Sequence, residues 1–252
     1  MTLLTDELKQ AAAYKALELV QDGMLVGLGS GSTARFFTEG LGRLVAEGMK
    51  VRAVPTSRAT AELAAELGIQ IVTELIGPID LAVDGADEVD PALNLIKGRG
   101  GALFREKLVA TASKRFVVVV DESKLVKQLG VGVLPVEVLP FLWRSTAERV
   151  AGLGVSLVIR GGEETPYITD NGNVVLDLTV DGGIKNPGEF GLELKKITGV
   201  VEHGLFVGIA DTVIVAGPEG PKAVGRLSGG RVARSTPAHD IGASGEARGR
   251  PS

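Results

Sequence analysis

The 252-residue chain contains no cysteine and only two histidines. Without thiols there can be no disulfide, no thiolate metal site and no cysteine nucleophile, a composition that suits a reducing compartment and predicts a cytoplasmic protein. His203 and His239 are too few for an imidazole-rich centre, so no metal is expected. A basic stripe is also missing: the formal net charge is −4 and the arginines are scattered, which argues against nucleic acid as a partner. No run approaches the ~20 apolar residues of a membrane span, and the acidic, amphipathic start is unlike a secretory signal. Neither membrane nor nucleic acid is expected as a partner. What the chain has instead is apolar material, 44% of residues, and 35 glycines. That is enough for a sizeable core, in one large domain or two small ones.

Apolar periodicity predicts a helix capped by Thr5 and ending near Gly23, then strands at 24–28 and 51–54 alternating with helices at 32–47 and 57–67. A strand at 81–83, a helix over 102–113 and a β-branched strand at 116–120 continue the alternation, which means a parallel sheet covered by helices. Each strand ends in polar residues, so functional side chains gather outside the carboxyl edge of the sheet, where open α/β sheets bind ligands. After Gly130 the order becomes strand 136–139, a helix capped by Ser145, strands 156–160 and 174–179, a helix opened by Asn186 and Pro187, and strand 200–202. That is the order of a ferredoxin-like module. Residues 205–216 are apolar again and are expected to return to the first sheet. The predicted fold is therefore α/β: an open, mostly parallel sheet flanked by helices, with an inserted smaller ferredoxin-like α+β domain. The boundaries are 1–130 with 205–225 for the α/β domain and 131–204 for the insertion. Residues 226–252, rich in Gly, Ser, Pro and Arg, are expected to form a disordered tail.

The chemistry concentrates at the strand ends. Gly29, Ser30, Gly31, Ser32 and Thr33 lie between a strand and a helix, where backbone N–H groups and the helix dipole can receive an anion; a plain capped helix start is the alternative. The spacing loosely fits a dinucleotide fingerprint, but the second strand ends in Thr56 and Ser57 with no acid for a ribose diol, and the lysine of a triphosphate loop is absent. A phosphate monoester fits better. Asp84, Gly85, Ala86 and Asp87 follow a buried strand, so the two carboxylates read as functional rather than as turn caps. Asp90 before Pro91 reads as a turn residue, and Glu88 is expected to face solvent. Lys97 opens a loop with Gly98, Arg99, Gly100 and Gly101, whose bare backbone lets a ligand approach N–H groups. Glu106 falls in the first turns of the next helix; by spacing it serves either the site or a surface pair with Arg105 or Lys107. Acids, an ammonium and open N–H groups on adjacent loops suit proton transfer beside a carbonyl, since an enediolate needs a base on carbon and donors on oxygen. Lys124 at a strand end can contact an anion or water, and His203 is expected to pack at a strand terminus.

Together with Asp121-Glu122-Ser123-Lys124, Leu134-Pro135-Val136-Glu137-Val138 and Thr169-Asp170-Asn171-Gly172-Asn173, these motifs closely resemble the A-type ribose-5-phosphate isomerase family, over about residues 6–220. The resemblance implies interconversion of ribose 5-phosphate and ribulose 5-phosphate in the pentose phosphate pathway, with no cofactor and with a small-molecule sugar phosphate as partner. It implies Glu106 as the base moving a proton between C2 and C1 through a cis-enediol(ate). Lys97 and N–H groups near Gly98, Arg99 and Gly100 would stabilise the oxygens, Asp84 and Asp87 would bind hydroxyls, and Asp84 would assist ring opening. Ser30, Gly31, Ser32 and Thr33 match the ligand-binding loop, Lys124 matches another ligand contact, and Lys9 would reach the phosphate. Gly85 and Ala86 belong to the same binding segment. A homodimer or homotetramer is implied. Arg99 departs from the family, which usually has glycine there; its side chain would touch phosphate or water. The rival readings are a non-enzymatic sugar-phosphate sensor, a sugar-phosphate deaminase-isomerase and a coenzyme A transferase.

Overall fold

The computed structural model describes residues 2–74 and 77–225. Helix α1 (Thr2–Leu17) is followed by β1 (Leu25–Leu28), α2 (Ser32–Ala46), β2 (Arg52–Pro55), α3 (Arg58–Glu66) and the short β3 (Gln70–Ile71). Then come β4 (Leu81–Asp84), β5 (Glu88–Val89), β6 (Leu95–Ile96), α4 (Leu103–Ala112) and β7 (Phe116–Asp121), which runs into a 3-10 turn at Glu122–Lys124. The chain continues through β8 (Leu134–Val138), α5 (Trp143–Ala151), β9 (Ser156–Ile159), β10 (Val174–Thr179), α6 (Pro187–Lys196) and β11 (Val200–His203). It finishes with β12 (Leu205–Phe206), β13 (Thr212–Gly217) and β14 (Gly220–Gly225).

The main sheet has seven strands in the order β14-β13-β7-β4-β1-β2-β3. Every neighbouring pair is parallel except the β13–β14 hairpin. Strand β7 shows why it is central. Its side chains alternate between faces: Val117 and Val119 join Phe37, Leu41 and the alanines of α1 on one side, while Val118 and Val120 join Val109, Ala110 and Phe206 on the other. A strand apolar on both faces can only be satisfied between two helical layers. From β1 the chain moves first to β2 and β3 on one side, then to β4 and β7 on the other, so the topological switch point lies between β1 and β4. A ligand site is expected at the carboxyl ends of that pair.

Strands β8 to β11 form a second sheet in the order β11-β8-β10-β9, antiparallel throughout. With α5 and α6 packed on its apolar residues, this is the ferredoxin-like arrangement. Among the described residues no helix is long and apolar enough to cross a membrane.

Several local expectations are corrected. Thr5 lies inside α1, which ends at Leu17 rather than near Gly23. Ser145 lies inside α5; the helix is opened by Leu142 at φ 54, with no side-chain cap. Asn186 and Pro187 do open α6 as N-cap and first residue, although the Asn186 amide binds Glu189 and makes no capping bond. The 205–216 segment divides: β12 pairs with β6 in a three-stranded sheet with β5, and only β13 returns to the main sheet. The tail expected at 226–252 lies outside the described residues.

Glu88 is the largest correction. It is 2% exposed, and its carboxylate accepts N–H groups of Gly130 at 2.7 Å, Val131 at 3.2 Å and Gly132 at 2.6 Å. The Arg99 guanidinium closes the set at 2.9 Å. Three backbone donors and one cation make this carboxylate the knot between the β5 hairpin and the entry to the second sheet. Glu88→Ala leaves those donors and the cation unpaired, so stability should fall by about 3–5 kcal/mol; chemical denaturation reads this directly, and a loss within ~0.5 kcal/mol would be the behaviour of an ordinary surface position.

Candidate active site

Strands β1 and β4 run in register, Leu28 beside Val83, so the segments that leave them emerge side by side. Asp84 turns inward, 3% exposed, and its Oδ1 accepts the N–H of Ser30 at 3.1 Å and of Gly85 at 2.7 Å. Gly29 is obligatory here because a Cβ would occupy the space of that carboxylate. Ser30 Oγ meets Thr56 Oγ1 at 2.7 Å at the end of β2, and Thr60 Oγ1 donates to the Gly29 carbonyl at 3.1 Å. The loop thereby hands the chain to α2 with Gly31 at the N-cap, φ 91, and no side-chain cap. The first-turn N–H groups, with the hydroxyls of Ser32 and Thr33, form a receptor for anionic oxygens.

Lys97 follows β6, its backbone N–H held by the Gly204 carbonyl at 2.9 Å. Its side chain is 3% exposed and its Nζ donates to the Gly85 carbonyl at 2.6 Å. The same ammonium lies 3.0 Å from Asp84 Oδ2 and 3.5 Å from Glu106 Oε2. The Phe206 ring takes a cation–π contact from this ammonium, 5.6 Å from its centroid, and another from that of Lys107, at 5.0 Å. The loop then turns at Gly98, φ 103, where Leu103 fills the place of a Cβ.

Glu106 sits in the first turn of α4, 5% exposed. Successive residues of a helix point about 100° apart, and its neighbours go elsewhere. Arg105 Nε reaches Asn171 at 2.8 Å, and Lys107 Nζ reaches Glu202 at 2.8 Å and the His203 carbonyl at 2.6 Å. The surface-pair alternative is excluded; Glu106 faces Lys97. Burial pushes its carboxyl up to about 8, with Asp84 and Asp87 adding to the rise against the pull of Lys97. Burial likewise raises Asp84, opposed by Lys97 and by the N–H groups of Gly85 and Ser30. For Lys97 burial works against the charge, but Asp84 and Glu106 outweigh it and hold the ammonium above its ordinary value. One firmly charged cation thus faces carboxyl groups that bind protons unusually tightly. His203 packs at the end of β11 as expected, and burial drives its imidazole down to about 4, leaving it neutral near pH 7.

These groups border a cavity of about 150 Å³. Its lining is Ser30, Gly31, Ser32 and Thr33 from the first turn, Gly85, Ala86 and Asp87 from the second, Lys97, Gly98 and Gly100 from the lysine loop, Glu106 from α4, and Lys9 and Lys124. Two anticipated residues are placed differently. Asp84 is not on the lining and reaches the cavity through Lys97. The Arg99 side chain is not on the cavity lining either: partly open to solvent, it places its guanidinium on Glu88, and its N–H donates to Asp87 Oδ2 at 3.0 Å. Spacing alone did not single out Thr60 or Phe206, which are brought beneath the site by tertiary packing; Thr56 carried only the signal of a strand-end hydroxyl.

Fold and site define an α/β enzyme for proton transfer on a small anionic substrate: a switch-point pocket with an anion-receiving helix start, and a buried carboxyl beside a fixed ammonium. The family model for ribose 5-phosphate isomerase A (phosphoriboisomerase A) matches residues 52–220. A probable ribose-5-phosphate isomerase 2 of Arabidopsis thaliana is 47% identical over 232 residues, 88% of each chain. A ribose 5-phosphate isomerase from Plasmodium falciparum superposes with TM-score 0.85 at 38% identity, covering 88% of this chain and 100% of that one. A D-ribose-5-phosphate isomerase solved in complex with phospho-erythronic acid has TM-score 0.84 at 42% identity, covering 88% and 99%. The chain belongs to the ribose 5-phosphate isomerase A family.

The raised Glu106 carboxyl has a consequence for stability. Between its ordinary value of 4.5 and about 8 the folded state binds the proton that the unfolded state has released, so this group's contribution is full below the lower value and is lost as pH rises through the upper one. Glu106→Gln cannot release a proton. Denaturation of both proteins from pH 4 to 9 should show the variant gaining on the wild type progressively across that window; a constant difference would contradict the shifted carboxyl.

Proposed function

We propose that this protein interconverts ribose 5-phosphate and ribulose 5-phosphate by proton transfer through a cis-enediol(ate), as a step of the pentose phosphate pathway. The observation that carries the reading is the Glu106–Lys97 pair at 3.5 Å on a cavity that the start of α2 also lines. The phosphate is received by Ser30, Gly31, Ser32 and Thr33, with Lys9 and Lys124 supplying positive charge. That orientation puts the carbonyl end of the open sugar toward Glu106 and Lys97. The Glu106 carboxylate removes the proton from C2, the C1 oxygen takes up negative charge beside the Lys97 ammonium and the Gly100 N–H, a proton passes from the C2 hydroxyl to that oxygen, and protonated Glu106 returns its proton to C1 as the C2 carbonyl forms. Asp87 binds sugar hydroxyls at the wall, and Asp84, held by Lys97, assists ring opening. Lys97 supplies the cationic charge, so the reading calls on no metal or nucleotide cofactor.

A base with a value of about 8 is well matched to proton abstraction near neutral pH. The same reading takes residues 1–130 with 205–225 as the catalytic domain and 131–204 as the inserted one, and the protein as a cytoplasmic homodimer or homotetramer. Its tests there are the mass in solution and fractionation of cells. Among the described residues no DNA-binding module favours the sensor reading, and neither a deaminase-isomerase nor a coenzyme A transferase accounts for the two buried carboxyls on one lysine better than simple isomerisation does.

Ribose 5-phosphate, allose 6-phosphate and glucosamine 6-phosphate assayed side by side should give turnover with the pentose and little with the others; preferred release of ammonia from the amino sugar would reverse the assignment. Glu106→Gln should bind the pentose phosphate but lose about 10²–10⁴-fold in kcat, and kcat/KM of the wild type should rise with pH up to about 8, where the carboxylate predominates. Full turnover by the variant would remove Glu106 from its role.

A further inference from the structure

Arg160, at the end of β9 in the second sheet, reaches across to the lysine loop of the first. Its Nη1 donates to the Gly98 carbonyl at 3.2 Å and the Arg99 carbonyl at 3.0 Å. The rest of the guanidinium is fixed from behind. Nε lies 2.9 Å from Asp177 Oδ2 and Nη2 lies 2.5 Å from Asp177 Oδ1, a two-pronged pair with both side chains largely buried. The Tyr167 ring lies 5.8 Å from the guanidinium carbon and also fills the space that a Cβ at Gly101 would need.

The consequence follows from peptide geometry. There is no cis peptide among the described residues, and in a trans peptide the N–H points opposite to the C=O. When Arg160 draws the Arg99 carbonyl toward β9, the N–H of Gly100 must point the other way, and Gly100 lines the cavity. The Gly98 carbonyl, held by the same nitrogen, directs the Arg99 N–H onto Asp87 Oδ2 at 3.0 Å. The Gly98 carbonyl also accepts the Gly101 N–H at 2.9 Å, so the guanidinium supports that first plane and sets the second, Arg99–Gly100, in a loop whose glycines would otherwise permit many orientations. A lysine cannot do this, since only a planar fork can engage a carboxylate with one edge and two carbonyls with another corner.

We infer that Arg160 is a positioning residue for the isomerisation: held by Asp177 and Tyr167, it orients the Gly100 N–H toward the oxygen that becomes negative in the enediolate. The inference rests on the isomerase reading. Arg160 itself does not touch the substrate, and the donor it sets matters only when charge develops on that oxygen. Its loss therefore falls on kcat rather than on KM.

Arg160→Met, Arg160→Lys and the wild type are compared for kcat, KM, thermal midpoint and the amide resonance of Gly100. Arg160→Met should lose about 10–10²-fold in kcat, somewhat less than removal of a whole oxyanion donor, with KM within about threefold of wild type. Guanidinium ion at millimolar concentration should restore part of the rate to Arg160→Met, and the Gly100 amide should shift in both variants. Wild-type kcat in Arg160→Met, a loss confined to KM, or an unmoved Gly100 amide would each overturn the inference while leaving the isomerase reading intact. A wild type inert toward ribose 5-phosphate would instead overturn the isomerase reading and with it the catalytic part of this one.

Discussion

Everything at the pocket depends on one ammonium. Taking a carboxylate out of water is expensive, and an unpaired one would be driven out of the interior or neutralised. Lys97 makes the burial of both Asp84 and Glu106 tolerable, at 3.0 and 3.5 Å, and it is itself kept charged by them. Because the balance is two carboxyls against one cation, it is incomplete. Burial, with the second carboxyl adding to it and Lys97 only partly opposing it, lifts the Glu106 proton affinity to about 8.

The scaffold's contribution is to make that contact unavoidable. Adjacent parallel strands β1 and β4 end together, so the hydroxyl-bearing turn and the aspartate turn share one edge, locked by two N–H bonds onto Asp84 Oδ1. Helix α4 then separates three successive charges onto three faces: Arg105 to the Asn171 turn, Glu106 inward, Lys107 to Glu202. The outer two anchor the helix against the second sheet, and their ion pairs and hydrogen bonds fix its rotation. The inner one is aimed by that rotation. The ferredoxin-like unit is in this sense part of the site's support, although it contributes no cavity-lining residue.

Much of this was legible along the chain. The apolar runs at β1, β4 and β7 have the composition of doubly covered strands, and polar residues at their ends locate the edge where ligands bind. The βαββαβ order of the second sheet is readable because turn signals separate its elements. Local capping was less legible. Thr5 and Ser145 have the right side chains for caps, but α1 already begins at Thr2, and Leu142 takes the opening position of α5 at φ 54. Glu88 and Arg99 were misjudged for a shared reason. Each looks like a solvated charge in its own segment; Glu88 is buried because residues 130–132, distant in sequence, bring three N–H groups to its carboxylate, and Arg99, still partly exposed, is turned onto that same carboxylate.

By itself, then, the order of residues determined the element types, the sheet's parallel character and the set of chemically competent groups, since these follow from periodicity and from side-chain type within a few residues. The tertiary structure alone decided which of those groups act together. Whether Glu106 would pair on the surface or turn inward, where the Arg99 guanidinium would go and which peptide planes Arg160 would seize are questions about contacts between distant segments. Burial, which sets proton affinity, exists only once those segments have met.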